Sequence, residues 1–102
     1  MELDPSHYNT VPYSAKLIDD SVIVHDHLTG NVHELNETAF SALELCRQMF
    51  AAGRVVSVEA VAEYLVREFA VGAMPLDVVA SDIRDVLQAF LDEGLIVLEK
   101  QG

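Results

Sequence analysis

The apolar positions change period once along the chain, between Leu35 and Ala39. Before that point the apolar runs are short and β-rich. "SVIVHD" (21–26) and "NVHEL" (31–35) flank "LTGN", and Thr29-Gly30 at its centre predicts a tight two-residue hairpin, with Gly supplying a positive φ. "AKLID" (15–19) predicts a shorter strand before them, turned by Asp19-Asp20. Beyond Leu35 the spacing becomes helical. Asn36 suits an N-cap, because its side chain accepts from a free helical N–H. Glu37 then falls in the first turn, where the helix dipole favours an anion. Ala39, Phe40, Leu43, Cys46, Met49 and Phe50 recur at intervals that make one apolar face, and Gly53 marks the stop. Ser57 opens a second helix, whose stripe is Val58, Val61, Ala62, Leu65, Val66 and Phe69. Gly72 and Pro75 break the pattern. A third and longest helix follows, "LDVVASDIRDVLQAFLDEG", with Val79, Ile83, Val86, Leu87 and Phe90 on one side and Gly94 at a left-handed cap. "LIVLEK" ends the pattern as a short apolar strand or an extended tail.

That order predicts an α+β fold: a small antiparallel three-stranded sheet, with its hairpin, followed by a three-helix unit in a winged-helix-like arrangement. Residues 1–14 are polar, hold Pro5 and Pro12 and lack periodicity, so they read as a flexible N-terminal tail. Residues 15–100 read as a single domain, with 102 residues leaving no room for a second core.

Composition narrows the function classes. A chain that is 51% hydrophobic and 23% charged is a folded globular protein. No apolar run has the length of a membrane-spanning helix, and "MELDPSHYNT" lacks the basic and apolar regions of a signal peptide. The lone Cys46 cannot form an internal disulfide, so a cytoplasmic setting is the expectation. Six Lys plus Arg against seventeen Asp plus Glu give a formal net charge of −11. Such a surface repels phosphates, which argues against nucleic-acid binding.

Residue chemistry offers little to catalysis. His25 and His27 share a face in a strand, and His33 across the hairpin invites a zinc reading. With a two-residue loop, however, residue 26 faces 33, and His33 projects away from the other two. Cys46 sits on an apolar helix face, where cysteine acts as a small hydrophobe. The carboxylates Glu59, Glu63, Glu68, Asp77, Asp82, Asp85, Asp92 and Glu93 lie on helix faces that read as solvated. There is no phosphate-binding glycine loop. The expectation is a protein that is not an enzyme and holds no metal or cofactor.

A binding surface remains. A hairpin and three helices suit a DNA-reading winged helix, but the second and third helices carry only Arg67 and Arg84 as cations. "NVHEL" offers another mode: an edge strand presents free N–H and C=O groups to which an extended peptide can add. The strand being simply paired or covered is the competing reading.

From about Ser21 to Leu98 the chain resembles the PqqD family of precursor-peptide recognition elements. The resemblance rests on "GNVHELNETAFSALELC", "SVEAVAEYLVREFAV" and "SDIRDVLQAFLDEGLI". Leu35, Asn36, Thr38, Ala39, Leu43, Leu45 and Cys46 fill the family's strand-to-helix pattern. Asp82-Ile83, Phe90-Leu91 and Gly94-Leu95-Ile96 fill its later one. The "RQMFAAGRVVS" connection and "VGAMPLD" are longer or looser than the family pattern. The resemblance implies a non-catalytic peptide chaperone. Such a protein binds the leader of a ribosomally made precursor peptide and presents it to a modifying enzyme. That enzyme is of the radical SAM or lasso-peptide maturation kind, as in pyrroloquinoline quinone synthesis. It further implies strand addition along Val32, His33, Glu34 and Leu35, against a helical wall drawn from Val79, Asp82, Ile83 and Val86. Asp82 is the polar candidate, able to meet a Lys or Arg of the leader. Partners would include no nucleic acid and no membrane, and the protein itself would be a monomer or an edge-paired dimer. A winged-helix transcriptional regulator and a structural small subunit of a larger enzyme are the alternatives.

Overall fold

The computed structural model describes residues 1–69 and 76–99. Its core element is a three-stranded antiparallel sheet of β3 (Tyr13–Ile18), β4 (Ser21–Asp26) and β5 (Val32–Asn36), with β4 in the centre. β4 alternates buried Val22, Val24 and Asp26 with more open Ser21, Ile23 and His25, so one sheet face is packed and the other is wet. Helix α1 (Glu37–Ala51) packs against β4 and β5. Helices α2 (Val58–Phe69) and α3 (Leu76–Asp92) pack on each other and close the core.

The predicted boundaries have local causes. Asn36 keeps an extended backbone, and its side chain accepts from the Ala39 N–H at 2.7 Å. α1 ends where the Arg54 N–H reaches back to the Met49 carbonyl and Gly53 takes φ +71°. The same motif closes α3, with Leu95 N–H donating to the Phe90 carbonyl and Gly94 at φ +75°. Ser57 Oγ accepts from Ala60 N–H at the start of α2. Val58, Val61, Ala62 and Leu65 are buried as the stripe requires, and so are Val79, Ile83, Leu87 and Phe90. The break at Gly72 and Pro75, and the place of the Phe69 side chain in its stripe, lie outside the described residues.

Two expectations change. The first 14 residues, read as a tail, contain β1 (Glu2–Leu3), β2 (Tyr8–Thr10) and the start of β3. β1 pairs with β6 (Val56–Ser57), and β2 pairs with β7 (Ile96–Leu98). Leu3 and Val11 are both 3% exposed. Strands of two or three residues carry too few positions to show a period, and their partners lie far along the chain. Between them, Asp4 forms the turn, accepting from the Ser6 N–H and hydroxyl.

The second change is the hairpin register. Val24, not Asp26, faces His33, because four residues (27–30) form the loop. Asp26, 1% exposed, organises that loop. Its carboxylate accepts from the Leu28 N–H at 2.8 Å, the Thr29 N–H at 3.3 Å and the Thr29 hydroxyl at 2.9 Å. Burial pushes this carboxyl up, but the bonds from Leu28 and Thr29 outweigh it and hold its pKa below the ordinary value. The register shifts by two residues, so the faces are preserved, and His33 still projects opposite to His25.

Candidate functional site

β5 is an edge strand, and its ladder decides which groups it can offer. Asp26 N–H donates to the Asn31 carbonyl at 2.9 Å. Antiparallel pairs alternate between bonded and non-bonded, so the pairs 24/33 and 22/35 spend their main-chain groups on β4. Val32 and Glu34 therefore direct their N–H and C=O groups outward.

The side chains alternate in the other sense. His33 and Leu35 lie on the packed face, opposite buried Val24 and Val22. Val32, 63% exposed, and Glu34 lie on the wet face. Glu34 is oriented there by the Ser21 hydroxyl, which donates to it at 2.8 Å.

α3 meets this edge near its C-terminal end. His33 Nδ1 stands 3.7 Å from Glu93 Oε2. The Glu93 N–H still donates to the Ala89 carbonyl, so the helical spacing continues through it. Asp82, Val86, Ala89 and Glu93, spaced by four, three and four, then form one stripe of the helix. Asp82, Ala89 and Glu93 are exposed and Val86 is half-buried. Of the four wall candidates, Val79 and Ile83 are buried in the core. They lie on the side of the helix turned to the hydrophobic interior, which their apolar spacing required. Ala89 and Glu93 were missed by sequence reasoning. Ala89 is small and Glu93 is charged, but their spacing from Asp82 and Val86 was readable.

The residues considered for other chemistry are dispersed. The rings of His25 and His27 pack edge-on at 5.4 Å, and His27 Nε2 lies 3.0 Å from the Ser14 hydroxyl. His33 is on the opposite sheet face, with its Nε2 buried and lacking a hydrogen-bond partner among the described residues. Cys46 is fully buried in the core, and burial pushes its thiol up to about 12, far from a reactive thiolate. Among the described residues no helix is long and apolar enough to cross a membrane.

Comparison with known proteins agrees with this frame. Residues 21–96 match the family model described as "Coenzyme PQQ synthesis protein D (PqqD)". Among solved structures, the chain is similar to "TbiB1 in Complex with the TbiA(beta) Leader Peptide", at TM-score 0.63 and 20% identity. That likeness covers 92% of this chain and 98% of the other, and at such identity it speaks for the fold. Curated proteins give no match. The matched segment starts with β4, runs through β5 and all three helices and ends at β7, so it holds both the edge strand and the helix beside it. This chain belongs to the PqqD family.

Proposed function

We propose that this chain binds the leader of a ribosomally made precursor peptide and presents it to a modifying enzyme, catalysing no step itself. The leader adds as a strand to β5, bonding to the outward main-chain groups of Val32 and Glu34, with His33 and Leu35 beneath it. Its side chains pack along α3 at Asp82 and Val86, with Ala89 and Glu93 extending that wall. The modifying enzyme is of the radical SAM or lasso-maturation kind, in pyrroloquinoline quinone synthesis or a related cytoplasmic pathway.

The observation that carries this reading is the free edge of β5 lying beside an acidic and partly apolar helix stripe. Main-chain pairing supplies affinity without dictating sequence, and the stripe supplies selection. Family membership supports it, as does the fold shared with a protein solved together with its own leader peptide. Glu34, Asp82 and Glu93 favour a leader with a Lys or Arg near its docked segment.

The test is a titration of the labelled protein with a leader peptide encoded beside it, recorded as amide shifts. Shifts should gather in residues 31–36 and 78–93. A leader that binds while leaving both segments unmoved would sink the reading.

A further inference from the structure

The three-stranded sheet has a second edge, and a groove lies there. β3 is the outer strand opposite β5. His27 N–H donates to the Pro12 carbonyl at 2.9 Å, so alternation turns the N–H and C=O of Tyr13, Ala15 and Leu17 outward. Their side chains lie on the packed face, opposite buried Asp26, Val24 and Val22. α1 covers β4 and β5 and reaches β3 at Tyr13, leaving Ala15 exposed and Leu17 61% exposed. The space between strand and helix is a groove of about 1000 Å³. Ala15, Leu17 and Val22 line its sheet side, and Phe40, Ser41 and Glu44 line its helix side. Tyr13, also on its lining, packs edge-on against Phe40 with centroids 6.4 Å apart.

An exposed, apolar, unpaired edge is a template for another strand, and natural sheets usually blunt it with charge, proline or a bulge. β3 carries one such charge, Lys16. Carboxylates outnumber cations on the groove's lining. Glu37, Glu44 and Glu99 stand on its lining, and Arg47 is already committed to Glu44 at 2.6 Å. Among the described residues Glu37 and Glu99 make no ion pair. A second copy of this chain would bring another net −11 to the same edge, which opposes self-pairing.

We infer that the β3 edge and the α1 groove form a second docking site, for an extended segment of a partner protein. On its groove-facing side, every second residue, that segment would carry apolar residues between basic ones. The apolar side chains enter between Leu17 and Phe40, and the cations meet Glu37 and Glu99. This site is independent of the proposed leader edge. A strand added to β3 would lie about 19 Å from one added to β5, four strand spacings away. Both can therefore be filled at once, as a protein that bridges a peptide and a second protein requires.

The test uses two capped heptapeptides, Lys-Ser-Val-Ser-Val-Ser-Lys and its counterpart with glutamate for both lysines, so that the valines and the end charges share one strand face, titrated into the labelled full chain. The lysine peptide should shift amides of residues 13–18 and 37–44, and bind at least tenfold more tightly than the glutamate peptide. Ala15→Pro removes an outward N–H that the β3–β4 ladder does not use, and Leu17→Lys changes an exposed side chain. Each should weaken the lysine peptide at least tenfold while leaving leader shifts at β5 in place. Diffuse shifts, shifts confined to residues 32–36, or no shifts at millimolar peptide overturn the inference. A dimer in sedimentation velocity that Leu17→Lys disperses also overturns it, by identifying a second copy as the occupant.

Discussion

At the scale of single residues, the two polar side chains that matter most for the sheet do opposite jobs. Asn36 ends β5 and starts α1 with one accepted bond, and sequence alone made that readable because Asn is among the best N-caps. Asp26 was not readable in that way, since its role depends on a four-residue loop that the Thr29-Gly30 pair disguised. Asp26→Asn keeps the shape and removes the charge. The charged form accepts three bonds in the native loop, so the variant should lose about 2 kcal/mol near neutral pH, as expected for bonds to a buried charged group. The sign of the pH dependence follows. The native pKa lies below the ordinary 3.8, so Asp26 contributes stability above the unfolded value, and this is lost as pH falls through the native one. Urea unfolding of both proteins at several pH values should show their difference narrowing below about pH 4. A gap that stays constant into acid would mean that charge at Asp26 has no part in holding the loop.

At the scale of elements, alternation within β5 separates binding from folding. Val32→Pro removes an outward N–H that β4 does not use, and edge strands tolerate proline at such positions. It should leave the unfolding midpoint nearly unchanged while weakening leader binding about tenfold, roughly the 1.4 kcal/mol of one well-placed hydrogen bond. His33→Pro, one residue on, removes an N–H spent on the β4 ladder and should destabilise the fold itself by about 1–3 kcal/mol. Equal effects of the two substitutions on stability would refute the assigned ladder. The same scale explains what the chain disclosed in advance. α1, α2 and α3 were legible because period and caps are local, and "SVIVHD" matched β4 to the residue. β1, β2 and β6 were not, because each exists only through a partner distant in sequence. Val79 and Ile83 belong to the buried stripe of α3. An apolar stripe identifies the face that is buried, so the accessible wall lies at its margin and beyond it, at half-buried Val86 and exposed Asp82, Ala89 and Glu93.

At the scale of the whole molecule, net charge sets both the choice of partner and the response to salt. A formal −11 on 102 residues puts most carboxylates within reach of another, and their repulsion opposes the compact state. Salt would destabilise the protein only if it screened more attraction than repulsion. Among the described residues the close pair of oppositely charged side chains is Glu44 with Arg47, on the surface, and His33 lies 3.7 Å from Glu93. Surface pairs of this kind contribute about 0–1 kcal/mol each, so little attraction is available to lose. Raising sodium chloride from about 0.05 M to about 0.5 M shortens the screening length from roughly 14 Å to roughly 4 Å, which removes most carboxylate repulsion across the surface. The melting temperature should therefore rise, by about 5 °C if the relieved repulsion is about 1 kcal/mol. Leader affinity should move the other way, because the cation of the leader meets Glu34, Asp82 and Glu93 through the same screened field. Scanning calorimetry and the leader titration, run on one salt series, measure both. A melting temperature that falls with salt would show that paired charges dominate this surface. A leader affinity indifferent to salt would show that β5 binds through its main chain and apolar contacts alone.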